Sequence, residues 1–355
     1  MVKINQTNIG DGYPCYITFE IGPTHDGLES AKRLIQHASN SGANAVKFQI
    51  FNPDRLVSDK KQMFSYGVLK NRKTGEIETV EEPLYDILCR RCLTEDQWIE
   101  IKKFCDELGI AFFSTVAFDE DIKFLERLNC DSIKIGSADV NHFPLIRRAA
   151  KSGMCLQIDT GMATLGEIER AVEVIRAEGN KNIIIHHCPS GYPARLQSIN
   201  LRIIETLKKM FPFPVAYSDH TPGSVMDIAA VTLGANMVEK TITEDRMTQS
   251  VEHVMSIEPQ EMKDFVKIIR EVEIGLGIGR REMSENEIKK RTEVRRSAFL
   301  VEAAKKGQHL SDCKIEFRRP GFGINPDQFE LISNSILARD LESGQIINFS
   351  DLLWS

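Results

Sequence analysis

The sequence has no long apolar run, no regular spacing of cysteines and no excess of positive charge. No run approaches the roughly 20 apolar residues that a helix needs to cross a bilayer, and the polar start MVKINQTNIGDGYP lacks the apolar core of a signal peptide. The net charge of −6 gives no bulk attraction to nucleic acid or to an acidic membrane surface. We therefore expect neither as a partner.

The eight cysteines follow no disulfide framework, so a reduced cytoplasm is the setting we expect. Cys89 and Cys92 form an isolated C-x-x-C around Arg90 and Arg91. A plain helical or loop position is a simpler interpretation of this pair than a redox or metal site.

With 355 residues, 42% hydrophobic and 27% charged, the chain has an ordinary globular composition, and its length suits a large α/β barrel plus a small module. Short runs rich in Val, Ile and Phe alternate with amphipathic stretches, a pattern typical of βα units around a parallel sheet. The predicted strands are CYITFEIG (15–22), NAVKFQIF (44–51), AFFSTV (111–116), SIKIGS (132–137), CLQIDTG (155–161), NIIIHHCP (182–189), FPVAYSDH (213–220) and MVEKTIT (237–243).

The stretches between these strands read as helices. LESAKRLIQHASNSG places four apolar residues on one face, and Thr164 with Glu167 forms a capping box before another helix. Eight strands, each followed by a helix, predict a closed (β/α)8 barrel of the TIM type, closed by a helix at about 258–275.

Two segments interrupt this alternation. Residues 52–94 form a long connection that contains NRKTGEIETVEEP, which we interpret as a hairpin or a lid. We predict a barrel domain at 1–280, a charged linker at 281–295 and a small β-rich domain at 296–355, where glycine and proline punctuate short apolar runs. So small a domain has little core of its own, and we expect it to rest against another surface.

Polar side chains cluster at the carboxyl ends of the predicted strands, where barrels of this type carry their chemistry. They are Glu20, Lys47, Gln49, Ser114, Thr115, Lys134, Ser137, Asp159, Thr160, His187, Ser190, Tyr192, Ser218, Asp219, His220, Glu239 and Lys240. Each alone is explained by a turn or an ion pair. Lysines and hydroxyls that converge on one mouth favour an anionic ligand, with phosphate or carboxylate the first candidates.

Eight segments carry a resemblance to a known family: EIGPTHDG (20–27), AVKFQIF (45–51), IKIGSAD (133–139), TGMATLGEIE (160–169), HCPSGYP (187–193), YSDHTPG (217–223), IEPQEM (257–262) and RRPGFGI (318–324). Together they resemble the sialic acid synthases, over nearly the whole chain. The resemblance implies a barrel enzyme that condenses phosphoenolpyruvate (PEP) with an N-acetylated hexosamine to a nine-carbon 2-keto-3-deoxy acid. It also implies an antifreeze-like (SAF) C-terminal domain, a homodimer that exchanges these domains, and a role in cell-surface glycan synthesis.

The resemblance also implies roles for individual residues. PEP would be bound by Lys47, Thr115, Lys134, Ser137, Ser190 and Ser218. The sugar would be bound by Gln49, Tyr192, Glu239, Glu252 and Arg319, the last from the small domain. Catalysis would fall to Glu20, Tyr192, Lys134 and Glu239, with a divalent metal, Mn²⁺ or Mg²⁺, on His220. Asp219 would orient His220.

Four positions depart from the family pattern. Thr241 stands where a second histidine ligand is expected, and Glu252 replaces an aspartate. Asp159 replaces a serine and Ser190 an asparagine.

These departures leave four interpretations. The enzyme makes another nine-carbon acid, such as legionaminic or pseudaminic acid, with a metal site rebuilt from His220 and Glu239, Asp159 or His253. Alternatively it works without metal, using Lys134 and Lys240, or it is a degenerate sugar-binding paralogue. A Schiff-base aldolase that uses Lys134 or Lys240 is the fourth. We favour the first.

Overall fold

The structure is a computed structural model that describes residues 1–353. It contains two compact units, one spanning Met1–Gly277 and one that begins at Ile278. None of the helices within residues 1–353 combines the length and the apolar character that crossing a membrane requires.

The strands and helices of both units are numbered in chain order. The strands are β1 (Val2–Ile4), β2 (Thr7–Ile9), β3 (Tyr16–Glu20), β4 (Ala45–Gln49), β5 (Met63–Asn71), β6 (Glu76–Pro83), β7 (Ala111–Val116), β8 (Ser132–Ile135), β9 (Cys155–Asp159), β10 (Ile183–His187), β11 (Val215–Asp219), β12 (Met237–Thr241), β13 (Ser297–Leu300), β14 (Ile315–Arg318), β15 (Ile336–Leu337) and β16 (Leu352–Leu353). The helices are α1 (Leu28–Ser41), α2 (Pro53–Leu56), α3 (Leu84–Cys89), α4 (Glu95–Leu108), α5 (Asp119–Arg127), α6 (Phe143–Lys151), α7 (Leu165–Ala177), α8 (Leu196–Ile199), α9 (Ile203–Met210), α10 (Val225–Thr232), α11 (Pro259–Leu276), α12 (Glu285–Val294) and α13 (Pro326–Ile332).

Eight parallel strands, β3, β4 and β7 to β12, close into a barrel in chain order. Each of them overlaps one of the eight predicted strands, so the predicted (β/α)8 barrel is confirmed. The predicted capping box of Thr164 and Glu167 starts α7, and α11 is the predicted closing helix. The apolar face predicted for α1 is the buried one.

Alternation along the strands decides what lies inside the barrel. Ile17 and Phe19 of β3 belong to the large core between the strands and the helices. Thr18 and Glu20 alternate with them along the strand and therefore point into the barrel. The lower end of the barrel is closed by the hairpin β1–β2, whose Val2, Ile4 and Ile9 pack with the first residues of several strands. The mouth is therefore at the carboxyl ends of the strands.

The long connection at 52–94 contains an antiparallel hairpin, formed by β5 and β6 and turned at Gly75 with φ of 70°. Of the two alternatives for this segment, the hairpin is thus confirmed as its structure. Arg90 and Arg91 follow α3, and Cys89 and Cys92 are free, exposed thiols.

The second unit begins with α12, a helix without buried residues. Two small antiparallel pairs, β13–β14 and β15–β16, follow around a compact apolar core. This core contains Ala298, Leu300, Ala304, Leu310, Ile324, Leu337, Leu341, Ile347 and Leu352.

Candidate active site

Two buried lysines share one buried glutamate at the mouth of the barrel. Lys134 Nζ, on β8, lies 2.7 Å from both carboxylate oxygens of Glu239, on β12. Lys47 Nζ, on β4, lies 2.8 Å from Glu239 Oε1 and 2.6 Å from Glu20 Oε2. Four predicted site residues from four strands therefore form one connected ionic cluster.

Asp159, Ser218 and His186 extend this cluster toward β9, β10 and β11. Lys134 Nζ lies 2.9 Å from Asp159 Oδ1 and 3.0 Å from Ser218 Oγ, and the Ser218 hydroxyl also lies 3.0 Å from Asp159 Oδ1. His186 Nδ1 is 2.9 Å from Ser218 Oγ, and its Nε2 is 2.8 Å from Gln157 Oε1. The polar interior is thus hydrogen-bonded throughout this layer.

The ionic contacts set the charge of the cluster. Burial lowers the pKa of Lys134, but the carboxylates of Asp159 and Glu239 outweigh it and leave the pKa above its usual value. Burial raises the pKa of Glu239, and the two lysines reverse this shift, so the carboxyl is ionised. Burial, followed by the charge of Lys134, lowers the pKa of His186 to about 3 and keeps its ring neutral. Two cations and three carboxylates therefore face each other.

Gln49, predicted for the sugar, and the remaining residues predicted for PEP surround this cluster less tightly. Gln49 Nε2 lies 3.4 Å from Glu20 Oε1, and Thr115 is half-buried at the end of β7. Ser137 Oγ accepts a hydrogen bond of 3.1 Å from the backbone N–H of Gly161, and Ser190 is exposed. The predicted set is therefore brought to one end of the barrel, but only part of it is in direct contact.

A second group forms around His220. Its Nδ1 is 2.9 Å from the carbonyl oxygen of Pro189, which can only accept, so Nδ1 carries the proton and Nε2 keeps a free lone pair. The rings of His220 and Tyr192 are 4.8 Å apart. The Thr241 hydroxyl donates to Glu252 Oε2 over 3.1 Å.

Glu252 is a buried carboxyl that no Lys, Arg or His nitrogen within the described chain approaches to ion-pair distance. Burial raises the pKa of the Glu252 carboxyl, while the charge of Lys47 and the hydrogen bond from Thr241 act in the opposite direction. A cation beside Glu252 would remove this cost. No cluster of three or more His, Cys, Asp or Glu side chains in residues 1–353 is arranged to hold a metal ion. Nε2 of His220 and the Glu252 carboxylate are the two groups on this side of the mouth that can donate to a divalent cation.

Asp219 does not orient His220, which corrects the sequence-based assignment. Its carboxylate accepts hydrogen bonds from Tyr217 and Thr221 and pairs with Lys240. Asp219 and Lys240 are the neighbours of Ser218 and Glu239, so the alternation of the strands points them to the other face of the barrel wall. Lys240 is buried there and also lies 3.6 Å from Asp227.

The hairpin β5–β6 contacts the same mouth. The backbone N–H of Gly67 donates to the carbonyl of Tyr192 over 3.3 Å, and the rings of Phe64 and Tyr192 are 6.5 Å apart. Tyr66 and Val68 pack with Val251, one residue before Glu252. The hairpin therefore borders the His220 group.

Arg319 lies in the second unit, where it is exposed. Its role toward the sugar stays a prediction.

The three residues considered from the sequence as additional metal ligands all have other partners. His253 bonds to Thr243 Oγ1 at 2.7 Å, and Glu239 and Asp159 are paired with Lys134.

Sequence reasoning missed His186 and selected its neighbour His187. The structure directs His187 to the outer face, where Nε2 lies 2.6 Å from the carbonyl oxygen of Ile199. Strand alternation could have identified His186. It is two residues after Ile184, so both side chains point to the same face of β10, and Ile184 belongs to the cluster inside the barrel. Arg91 and Ser250, described below, carried no signal of this kind.

Comparisons with known proteins agree with this geometry. Residues 34–281 match the model of the NeuB family. The chain is 35% identical over 350 residues to the N,N'-diacetyllegionaminic acid synthase of Legionella pneumophila, an alignment that covers 97% of this chain and 95% of that protein. It is 31% identical over 340 residues to a pseudaminic acid synthase of Campylobacter jejuni, covering 95% and 96% of the two chains.

A solved structure shows the same similarity. The crystal structure of the N-acetylneuraminic acid synthetase of Leptospira borgpetersenii in complex with citrate superposes with a TM-score of 0.71 at 28% identity, covering 81% of this chain and 94% of that chain. The family match spans more than half of the sequence and includes every barrel strand from β4 onward. The chain belongs to the NeuB family.

Proposed function

We propose that this protein is a PEP-dependent synthase that condenses PEP with an N-acetylated amino sugar to a nine-carbon 2-keto-3-deoxy sugar acid and releases phosphate. The observation that carries the proposal is the pair of buried lysines, Lys47 and Lys134, joined through Glu239 at the barrel mouth. The named activities of the legionaminic, pseudaminic and N-acetylneuraminic acid synthases support the reaction class.

PEP carries a carboxylate and a phosphate, and the two lysines provide cations for them. Lys134 and Ser218 would bind one of these groups, and Lys47 with Thr115 and Ser137 the other, since hydrogen bonds between ionised partners are the strong ones. Ser190 would bind at the exposed edge. Glu239 holds both lysine ammonium groups in place before the substrate enters.

The reaction follows from this placement. The third carbon of PEP attacks the aldehyde of the open-chain sugar, and water adds to the second carbon. Glu20, which is held by Lys47, would move the proton of that water. The resulting hemiketal phosphate loses inorganic phosphate to give the ketone. Lys134 stabilises negative charge on the substrate throughout, because it is buried and already oriented.

The acceptor would occupy the side of the mouth around Tyr192. The carboxylates of Glu239 and Glu252 would accept hydrogen bonds from its hydroxyls, and the amide of Gln49 would donate or accept them. Phe64 of the hairpin would limit the size of the acceptor. We expect Arg319 to reach the N-acetyl group.

We propose that His220 Nε2 and Glu252 hold a divalent metal, Mn²⁺ or Mg²⁺, with Thr241 positioning the carboxylate. Bound there, such a metal would polarise the aldehyde oxygen as a Lewis acid. Oxygen-rich ligation favours the harder divalent cations.

We further propose the assembly and the setting. The domains would be a barrel at 1–280, a linker at 281–295 and an antifreeze-like SAF domain at 296–355, in a homodimer that exchanges the small domains. The eight free cysteines support a reduced cytoplasm, and the named products of the relatives support a role in surface carbohydrate synthesis.

The Schiff-base alternative is not favoured, because its nucleophilic lysine must lose a proton readily. The pKa of Lys134 is raised by its carboxylate partners against the effect of burial, and Lys240 is likewise paired with Asp227 and Asp219. Borohydride reduction with pyruvate should therefore leave no adduct on either lysine.

The test is phosphate release from PEP with a panel of N-acetylated hexosamines and their 6-deoxy diamino relatives, each with EDTA, Mn²⁺ or Mg²⁺. We expect one acceptor to release phosphate, only with added metal, and Lys134→Met to release none. Equal release in EDTA would contradict the metal proposal alone. Silence with every acceptor would contradict the synthase and leave a sugar-binding paralogue.

A further inference from the structure

A separate cavity of about 410 Å³ opens beside the barrel mouth. The loop after β3, the first turns of α1, the segment after α3 and the loop after β12 form it, and the residues used in the proposed reaction do not line it. Its walls include three arginines, Arg33, Arg90 and Arg91.

Arg91 differs from the other two arginines in having no close carboxylate. Arg33 is held by both oxygens of Glu244, and Arg90 by both oxygens of Glu82. Arg91 is only 5% exposed, yet the nearest carboxylate, of Asp26, lies 3.9 Å away on a side chain that is 91% exposed. A buried cation whose nearest counter-charge is a long contact to an exposed side chain is poorly compensated, and buried charges are normally paired more closely than this.

The guanidinium is fixed in place by neutral groups. Nη1 donates to the carbonyl of His25 and Nη2 to Ser250 Oγ over 3.0 Å, while Nε has no partner. A planar guanidinium held in this way suits an oxyanion that binds it through two oxygens.

A second residue of the cavity wall also carries a nitrogen without a partner. His253 is 2% exposed, its Nδ1 bonds Thr243, and its Nε2 has no partner. The cavity also borders the start of α1 at Ser30, where the N-cap residue Gly27 supplies no side-chain hydrogen bond and the first backbone N–H groups favour negative charge.

We propose that this cavity, which we call the Arg91 pocket, is a second binding site, for a small hydroxylated molecule that carries a phosphate or a carboxylate. Arg91 binds the oxyanion. The hydroxyls and the amide of the wall bind the rest of the molecule; they belong to Thr24, Ser30, Thr243, Thr248, Gln249 and Ser250. The volume lies within the range of small-molecule sites. A sugar phosphate and a sugar acid share this chemistry.

Isothermal titration calorimetry on the full-length chain tests the proposal, with Lys134→Met as the background so that the barrel mouth does not compete. The probes are inorganic phosphate, glucosamine 6-phosphate and N-acetylneuraminate, at low ionic strength. We expect at least one probe to bind with one-to-one stoichiometry. The probe that binds most tightly distinguishes a phosphate source from a carboxylate source.

Two variants decide whether Arg91 is responsible. Arg91→Met should weaken binding at least tenfold, whereas Arg127→Met, an exposed arginine paired with Glu95, should not change it. Ser250→Asp places a carboxylate beside Nη2, so it should abolish binding while raising the melting temperature. This variant keeps the test decisive if Arg91→Met does not fold. Unchanged affinity in Ser250→Asp, or no binding of any probe, overturns the proposal.

Discussion

Asp159 places a carboxylate 2.9 Å from Lys134 Nζ, in the position where an anionic group of PEP is proposed to bind. Because the carboxylate and the substrate compete for the same cation, we expect Asp159→Ser to lower the KM for PEP by about 3- to 10-fold. Steady-state kinetics with PEP as the varied substrate measures this.

The same measurement separates a competing role of Asp159 from a catalytic one. If Asp159 moves a proton, Asp159→Ser will lower kcat and leave the KM for PEP unchanged, which contradicts the competition. Asp131→Ser is the matched control, because Asp131 is exposed and bonds the backbone N–H of Asn5.

Strand alternation explains which residues the sequence could assign. Lys47, Lys134, Ser218 and Glu239 were found because each lies at the end of an unmistakable strand, where the fold dictates convergence. His186 was missed because a shift of one residue reverses the face of a strand. Partners such as Ser250 and Arg91, 159 residues apart, are decided by loop packing that no local pattern encodes.

Gly22 lets the segment after β3 turn across the carboxylate of Glu20. A Cβ on Gly22 would lie 2.4 Å from Glu20 Oε1 and 2.9 Å from the backbone nitrogen of Gln49. We expect Gly22→Ala to displace Glu20, lower kcat/KM more than tenfold and destabilise the fold by about 1–3 kcal/mol. Kinetics and urea denaturation measure the two effects.

Gly166 provides a matched control in helix α7. A Cβ there would meet no atom within 4 Å, so Gly166→Ala should stabilise the protein by about 0.5–1 kcal/mol through helix propensity and leave kcat/KM unchanged. Equal kinetics in Gly22→Ala and the parent would show that Glu20 is not held by this close approach.

The elements themselves were largely predictable, and the reason is periodicity. A buried barrel strand is visible in the sequence as a short apolar run. The helix that follows it is visible as apolar residues that recur about every 3.6 positions. The sequence did not decide whether the segment that contains β5 and β6 forms a hairpin or a lid. Its strand β6, EIETVEEP, is mostly exposed and carries four glutamates, so neither an apolar run nor a regular alternation marks it.

Stability of the whole chain should depend on pH through its buried histidines. His25 packs against Phe48 and Trp98, and neither ring nitrogen has a partner. Burial, followed by the charge of Arg91, lowers its pKa to about 3. As the pH falls below about 6.5, the unfolded chain gains a proton that the native chain does not, so stability is lost.

His25→Leu removes this proton uptake. We expect the free energy of unfolding of His25→Leu, relative to the parent, to rise by about 1–2 kcal/mol between pH 7 and pH 5. Urea denaturation of both proteins at the two pH values measures the difference. A difference that is the same at both pH values would mean that His25 takes up its proton in the native protein as readily as in the unfolded chain.

The proposed exchange of small domains predicts complementation between two inactive variants. In a symmetric dimer where Arg319 serves the partner's barrel, a hybrid of Lys134→Met and Arg319→Ala has one site with both natural residues. Random pairing of equal amounts makes about half of the dimers hybrids, and each hybrid has one intact site of two. The mixture should therefore reach about a quarter of the parental rate of phosphate release. Refolding the mixed variants together and assaying them against each variant alone measures this, and light scattering reports the mass. If Arg319 acts within its own chain, no hybrid has an intact site and the mixture stays inactive, because each chain retains its own defect.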